Sequence, residues 1–149
     1  MVLYRDHPEF EPDYTPYQVM ALGAFMDQGG YWRPIYSSVL GKEVKDDYKK
    51  YNWGNLSLDK LIHTPDKTLN KYGVKCGLSL EAWENHGWIH PQDPRGYFEW
   101  YTKFHAGRRT EDDDRQIARF NAFKKRFKNR ESDVVKQDLL QWGINYNKY

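Results

Sequence analysis

Asp93-Pro94-Arg95-Gly96-Tyr97-Phe98-Glu99-Trp100-Tyr101-Thr102-Lys103-Phe104-His105-Ala106-Gly107 is the stretch that decides the fold. Asp-Pro is a good helix-opening pair and Gly107 a natural stop, so a helix is expected from Asp93-Pro94 to Gly107. Within it Tyr97, Trp100, Tyr101 and Phe104 recur at i, i+3, i+4 and i+7, which places four rings on one face about 100° wide. Each buried ring can contribute a few kcal/mol, at about 25 cal/mol per Å² over roughly 150 to 250 Å². The stripe therefore reads as core.

Helix punctuation continues on both sides. Ser79 caps a short helix that stops at Gly87, Thr110 with Asp113 makes a capping box for a longer one, and Ser132 opens a last one that stops at Gly143. Upstream, Thr15-Pro16-Tyr17-Gln18 reads as an N-cap, a first-turn proline and a capping-box glutamine. The helix it opens is expected to end at Gly29-Gly30 and, being apolar nearly all round from Val19 to Met26, to be central. Residues 31 to 78 break every long periodicity. They predict irregular chain with short helices near Ser57 to Ile62 and Pro65 to Lys71, a charged exposed loop from Gly41 to Tyr51, and a hairpin left open around Tyr72 to Leu78. The expectation is a mainly α fold: a single compact helical domain over residues 1–149 with an irregular, loop-rich N-terminal half, residues 1–14 forming an extended N-terminal arm.

Composition agrees. The 149 residues include 12 Tyr, 7 Phe and 6 Trp at a mean hydropathy of -0.98. So many rings argue against disorder, and no run approaches the roughly 20 apolar residues that span a membrane. Cys76 is the only cysteine, which excludes an intramolecular disulfide and suits a reduced, intracellular setting. No secretory signal is visible in the polar, acidic segment from Met1 to Pro16.

The net charge of +2 hides a basic block. Residues 103 to 130 hold ten Lys or Arg against four acids, or +6, while the first 102 residues sum to -3 and the last 19 to -1. On a helical wheel with Arg115 at zero, Arg126 falls near 20°, Arg119 near 40° and Arg130 near 60°, at about 100° per residue. Ile117, Phe120, Phe123 and Phe127 fall between about 80° and 200°. An arginine ridge thus runs beside an apolar docking stripe. Guanidinium forks suit phosphate oxygens, so the candidate nucleic-acid-binding residues are Arg108, Arg109, Arg115, Arg119, Lys124, Lys125, Arg126, Lys128 and Arg130. Four such contacts on duplex DNA would give a log–log salt slope near -3.6, or roughly 150-fold weaker binding between about 50 and 200 mM salt. A solvated face with intrahelical pairs such as Glu111 to Arg115 accounts for the same charges without a ligand.

Glu111 to Asp114 fall in the first turn after Thr110, where the helix dipole favours acids, so helix-start chemistry explains them without a metal. The loop from His86 to Gly96 holds the other polar constellation. His86 and His90, with Asp93 and His105, could in principle gather around zinc, but Gly87 and Pro91 interrupt any continuous helix, and no cysteine pair supports them. No metal or cofactor is assigned. His90, Asp93 and Arg95 are the candidate catalytic residues of an acid–base site. No phosphate-binding glycine loop and no G-x-S-x-G accompany them.

The strings Gly29-Gly30-Tyr31-Trp32-Arg33-Pro34-Ile35, Asn70-Lys71-Tyr72-Gly73-Val74-Lys75, Trp88-Ile89-His90-Pro91-Gln92-Asp93-Pro94-Arg95-Gly96 and Gly107-Arg108-Arg109-Thr110 resemble those of an uncharacterised family met in phages, large DNA viruses and some eukaryotes. The resemblance covers most of the chain and carries no assigned activity. It implies a phage or viral setting, with the host cytoplasm as location if phage-encoded, and DNA as a partner ahead of RNA. The leading expectation is a nucleic-acid-binding protein that contacts phosphates through the basic helix from Thr110 to Arg130. The alternatives are an enzyme acting on nucleic acid or a nucleotide at the His86 to Arg95 loop, and a protein-interaction or virion-assembly component, including a homo-oligomer.

Overall fold

The computed structural model describes residues 2–45, 48–76 and 80–148. In chain order the elements are α1 (Pro16–Ala21), β1 (Ile35–Ser37), β2 (Lys42–Val44), α2 (Leu80–Asn85), α3 (Tyr97–His105), α4 (Asp113–Phe127) and α5 (Asp133–Gln141), with short 3-10 turns between them. The protein is mainly α with a loop-rich N-terminal region, as its punctuation predicts.

Helix α3 is the axis of the fold. It packs against α1 and α4, and α5 packs against α4. Tyr97, Trp100, Tyr101 and Phe104 are buried as their spacing requires, and Phe98, Glu99 and Thr102 on the opposite side are buried as well. The segment after Thr15 joins α3 in the core, with Val19, Met20, Ala24, Phe25 and Met26 buried, as its apolar content predicts. That segment opens with the expected capping box, Gln18 N donating to Thr15 Oγ1 at 3.2 Å and Thr15 N to Gln18 Oε1 at 2.9 Å. It stops at Ala21, well short of Gly29. Gly23, at φ +84°, breaks the helix because its Cα faces the Leu69 carbonyl at a distance that leaves a Cβ only 2.7 Å of room. A separate 3-10 turn follows at Met26–Gln28.

Two further expectations need correction, and one between them holds. The segment from Gly41 to Tyr51 is not simply an exposed loop: Lys42 to Val44 pair antiparallel with Ile35 to Ser37, and Tyr48 is buried. The short helices expected near Ser57 to Ile62 and Pro65 to Lys71 are present as 3-10 turns at Leu58–Lys60 and Lys67–Leu69, capped by Ser57 and Asp66. Helix α3 begins after Gly96, not at Asp93-Pro94, and Gly96 at φ +97° is its N-cap. Residues 72–76 form turns and irregular chain, with no strand among the described ones; Leu78, in the same open hairpin, and Ser79, the expected cap of α2, lie outside the described residues.

Residues 2–14 lack regular structure but are docked on the core. Phe10 is fully buried, with T-shaped contacts to Tyr101, Phe104 and Phe120 at centroid distances of 5.4, 5.6 and 5.0 Å. Cys76 is buried too, and burial pushes its thiol pKa well up, away from the reactive thiolate. No helix among the described residues is long and apolar enough to cross a membrane.

Candidate nucleic-acid interface

The basic helix does not present its cations as one continuous ridge. Arg108 donates to Asp93 Oδ2 at 2.6 Å. Arg109 forks onto Asp6 at 2.6 and 3.2 Å, and its guanidinium carbon lies 3.6 Å from the centre of the Phe104 ring. Arg109 in turn holds the Asp6 carboxyl down at a pKa of about 2. Arg115 forks onto the buried carboxylate of Asp112 at 2.5 and 3.0 Å. Three of the nine predicted contacts are thus committed to acids within the chain. Glu111, offered at i, i+4, is not the partner of Arg115; Asp112 at i, i+3 is.

Arg119 takes a different role. Its guanidinium lies 5.9 Å from the Trp88 ring centre and 5.4 Å from that of Trp142. Both Arg115 and Arg119 donate to the Trp88 carbonyl, at 3.3 and 3.4 Å. Farther along α4, Lys125, Arg126 and Arg130 are exposed and make no ion pair among the described residues. Arg126 and Arg130 both lie against the Phe127 ring, at 5.1 and 5.5 Å. Lys124 and Lys128 are half-buried beside them.

Between α4, α5 and the loop before α3 is a cleft of about 500 Å³. Its walls are Trp88, Phe123, Phe127 and Trp142, with Arg119 and Arg126 among them and Asp138 from α5 in the lining. The rings are held in place by one another. Phe123 stacks on Trp142 at 4.9 Å and 17°, Phe127 packs on Phe123 at 4.7 Å, and Trp142 rests on Tyr97 at 4.2 Å. The docking stripe of α4 is real for Ile117 and Phe120, which are buried, whereas Phe123 and Phe127 remain half-open to this cleft.

Asp138 is half-buried, and burial raises its carboxyl pKa to about 6. Its carboxylate makes no hydrogen bond or ion pair among the described residues, although two guanidiniums share its cleft. Sequence reading passed over Asp138 and Trp142. The signal was there: Val135, Asp138, Leu139 and Trp142 follow i, i+3, i+4 and i+7, so a carboxylate occupies an apolar position of α5.

The candidate catalytic residues are not gathered in the cleft. The fully buried Asp93 is braced by Arg108 and by Lys103 at 3.4 Å. Arg95 is also buried; its Nη2 donates to the carbonyls of Arg33 and Val44 at 3.2 and 3.3 Å, and its guanidinium lies over Trp32. It fastens the hairpin to the core. His90 Nδ1 accepts from Gln92 N at 3.0 Å. The other histidines weighed as metal ligands are apart as well: His86 stacks on Trp88, and His105 bonds the Tyr4 hydroxyl at 2.7 Å. Among the described residues three potential ligands converge at one place, where His7, Glu9 and Asp114 offer atoms within 4.8 Å of one another. Asp114 thus faces this group, while Asp113 does the helix-start work, accepting from Thr110 N at 2.9 Å.

A scan of family models, a search of curated proteins and a search of solved structures each return no match.

Proposed function

We propose that the protein binds nucleic acid across the exposed C-terminal half of α4 and the aromatic cleft beside it. The observation that carries this reading is the cleft, where two indoles and two phenyl rings stand beside guanidinium groups within about 500 Å³. Rings give bases a stacking platform worth roughly 1–3 kcal/mol per base, and neighbouring cations track the phosphates. Bases must be unstacked to enter, so the geometry favours a single strand over an intact duplex. Arg126, which lines the cleft, and Arg130, against the Phe127 ring, are the phosphate contacts best placed beside it, with the exposed Lys125 farther round α4, since Arg108, Arg109 and Arg115 are already paired with acids.

Fluorescence anisotropy with labelled single- and double-stranded DNA and RNA across a salt series tests the reading. Three phosphate contacts on a single strand give a log–log slope near -2, or about 18-fold weaker binding between roughly 50 and 200 mM salt. The combined Lys125→Ala, Arg126→Ala and Arg130→Ala variant should flatten that slope. Absence of binding to any strand at about 50 mM salt overturns the proposal. Tryptophan and arginine also dominate protein-interface hot spots, and Trp88 is 39% exposed at the rim. A concentration-dependent dimer whose formation competes with oligonucleotide would assign the face to a second copy of the chain instead.

A further inference from the structure

Within the cleft, one side chain is out of keeping with the rest. Asp138 is the one acid in a lining of rings, two guanidiniums, Ile89, Ala122 and Gln141, and neither Arg119 nor Arg126 pairs with it. A half-buried carboxylate without a donor is costly, and the cost is relieved by a ligand that supplies N–H groups. That ligand must be flat, to lie against Phe123, Phe127, Trp88 and Trp142, and must offer donors along one edge. Its other end should carry a negative charge, to meet Arg126 at the mouth.

We infer that the cleft receives one unstacked guanine base, whose N1–H and exocyclic amino N–H are donated to the two oxygens of Asp138. The inference deepens the nucleic-acid reading and rests on it where the base belongs to a strand. The donor pattern selects among the bases. Guanine presents two adjacent donors on its Watson–Crick edge, which a carboxylate accepts together. Adenine and cytosine present one donor beside one acceptor, and uracil one donor between two acceptors, so each would set a lone pair against the carboxylate. Reading an extruded base by its Watson–Crick edge between rings is a general solution for proteins that hold single bases. The cleft also lies within the roughly 300–1,000 Å³ usual for small-molecule sites.

Protonation gives the site a second, checkable property. The titratable groups that line the cleft with Asp138 are Arg119, Arg126, Tyr31 and Tyr97, the two hydroxyls donating to the carbonyls of Arg95 and Trp142, while the Cys76 thiol beside it feels the charges of both Asp138 and Asp27. Below its pKa of about 6 the acid offers one donor and one acceptor, the pattern that adenine and cytosine match. Preference for guanine should therefore fade in mildly acidic solution.

The experiment is a titration of the full chain with GMP, AMP, CMP and UMP at about pH 7.5 and about pH 5, followed by tryptophan fluorescence, together with guanine-containing and guanine-free single-stranded oligonucleotides. GMP is expected to bind at least roughly 10-fold more tightly than the others at the higher pH, with a smaller margin at the lower. Asp138→Asn, with one donor and one acceptor, should weaken GMP by about 10-fold and leave AMP no weaker. Trp88→Ala should weaken all four alike. Should Asp138→Asn not fold, the comparison of the two pH values in the native chain decides. GMP binding no tighter than AMP, or an Asp138→Asn variant that keeps the guanine preference, overturns the inference. Oligonucleotide binding indifferent to guanine would sink it while leaving the nucleic-acid reading intact. Selective GMP binding without oligonucleotide binding would do the reverse, making the cleft a nucleotide site.

Discussion

The guanidinium of Arg119 is clasped between the indoles of Trp88 and Trp142, which belong to segments 54 residues apart, and its Nη1 donates to Gln116 Oε1 at 2.8 Å. Burial lowers its pKa, yet a guanidinium remains a cation in any such setting. The clasp makes Arg119 a wall of the cleft that joins α4 to the loop before α3. Arg119→Ala should cost about 1–2 kcal/mol of stability and loosen Trp88. Arg119→Lys keeps the charge but loses the flat, stacking plane, and should recover less than half of that. Denaturant midpoints and the tryptophan emission maximum check both.

Asp138 sets a pH dependence of stability. Its folded pKa, about 6, lies above that of an ordinary aspartate, so the folded chain holds this proton more tightly than the unfolded chain. The stabilisation is fully present below the unfolded value and is lost as pH rises through about 6. Glu99, raised to about 7 by burial, acts in the same direction. Asp138→Asn should raise stability near neutral pH by about 1–2 kcal/mol and flatten its decline between about pH 4 and 6, measured by urea unfolding across pH.

Removing the fully buried Asp93 should be severe. Arg108 and Lys103 would each lose a partner at 2.6 and 3.4 Å in a poorly solvated site. Asp93→Ala is expected to lose about 3–5 kcal/mol, visible as a lower thermal midpoint.

Gly30 and Gly41 form a matched pair for backbone strain. Both have positive φ, +93° and +68°, but a Cβ on Gly30 would come within 2.1 Å of the Leu61 carbonyl oxygen, whereas one on Gly41 meets nothing within 4 Å. Gly41→Ala should cost about 1–2 kcal/mol, the ordinary left-handed penalty. Gly30→Ala should cost considerably more, and comparing their unfolding midpoints isolates the steric contribution.

The parts of this fold that can be read from the chain are those decided by near neighbours. The stripe Tyr97, Trp100, Tyr101 and Phe104 and the stop at Gly143 depend on spacing within one helix, and both are where periodicity puts them. The paired strands escape notice because each has three residues and the second is Lys-Glu-Val, with no alternation long enough to register. Asp93 looked like a helix cap because its real partners, Arg108 and Lys103, lie beyond the loop it begins. The basic helix shows the same limit. Its wheel ranks cations by angle, and the angle says nothing of Asp112, which claims Arg115, or of the indoles that claim Arg119. For the cleft, the legible part was a ring-lined stripe on α4; that α5 and the loop before α3 would complete it required the tertiary arrangement.

Asp13 receives the amide of Asn145 at 2.9 Å and the ammonium of Lys148 at 3.1 Å, while the amides of Asp13 and Tyr14 both donate to the Gly143 carbonyl. A few residues away, Phe10 fills the space between α3 and α4. Segments about 130 positions apart thus close the same core, and loop-closure entropy must be met before that closure is rewarded. During synthesis, α1 and α3 emerge with their apolar faces open until residues 139–145 have left the ribosome. Folding is then a single late event, slower than local helix content suggests, and an interruption anywhere before α5 leaves a chain with its rings exposed to chaperones and proteases.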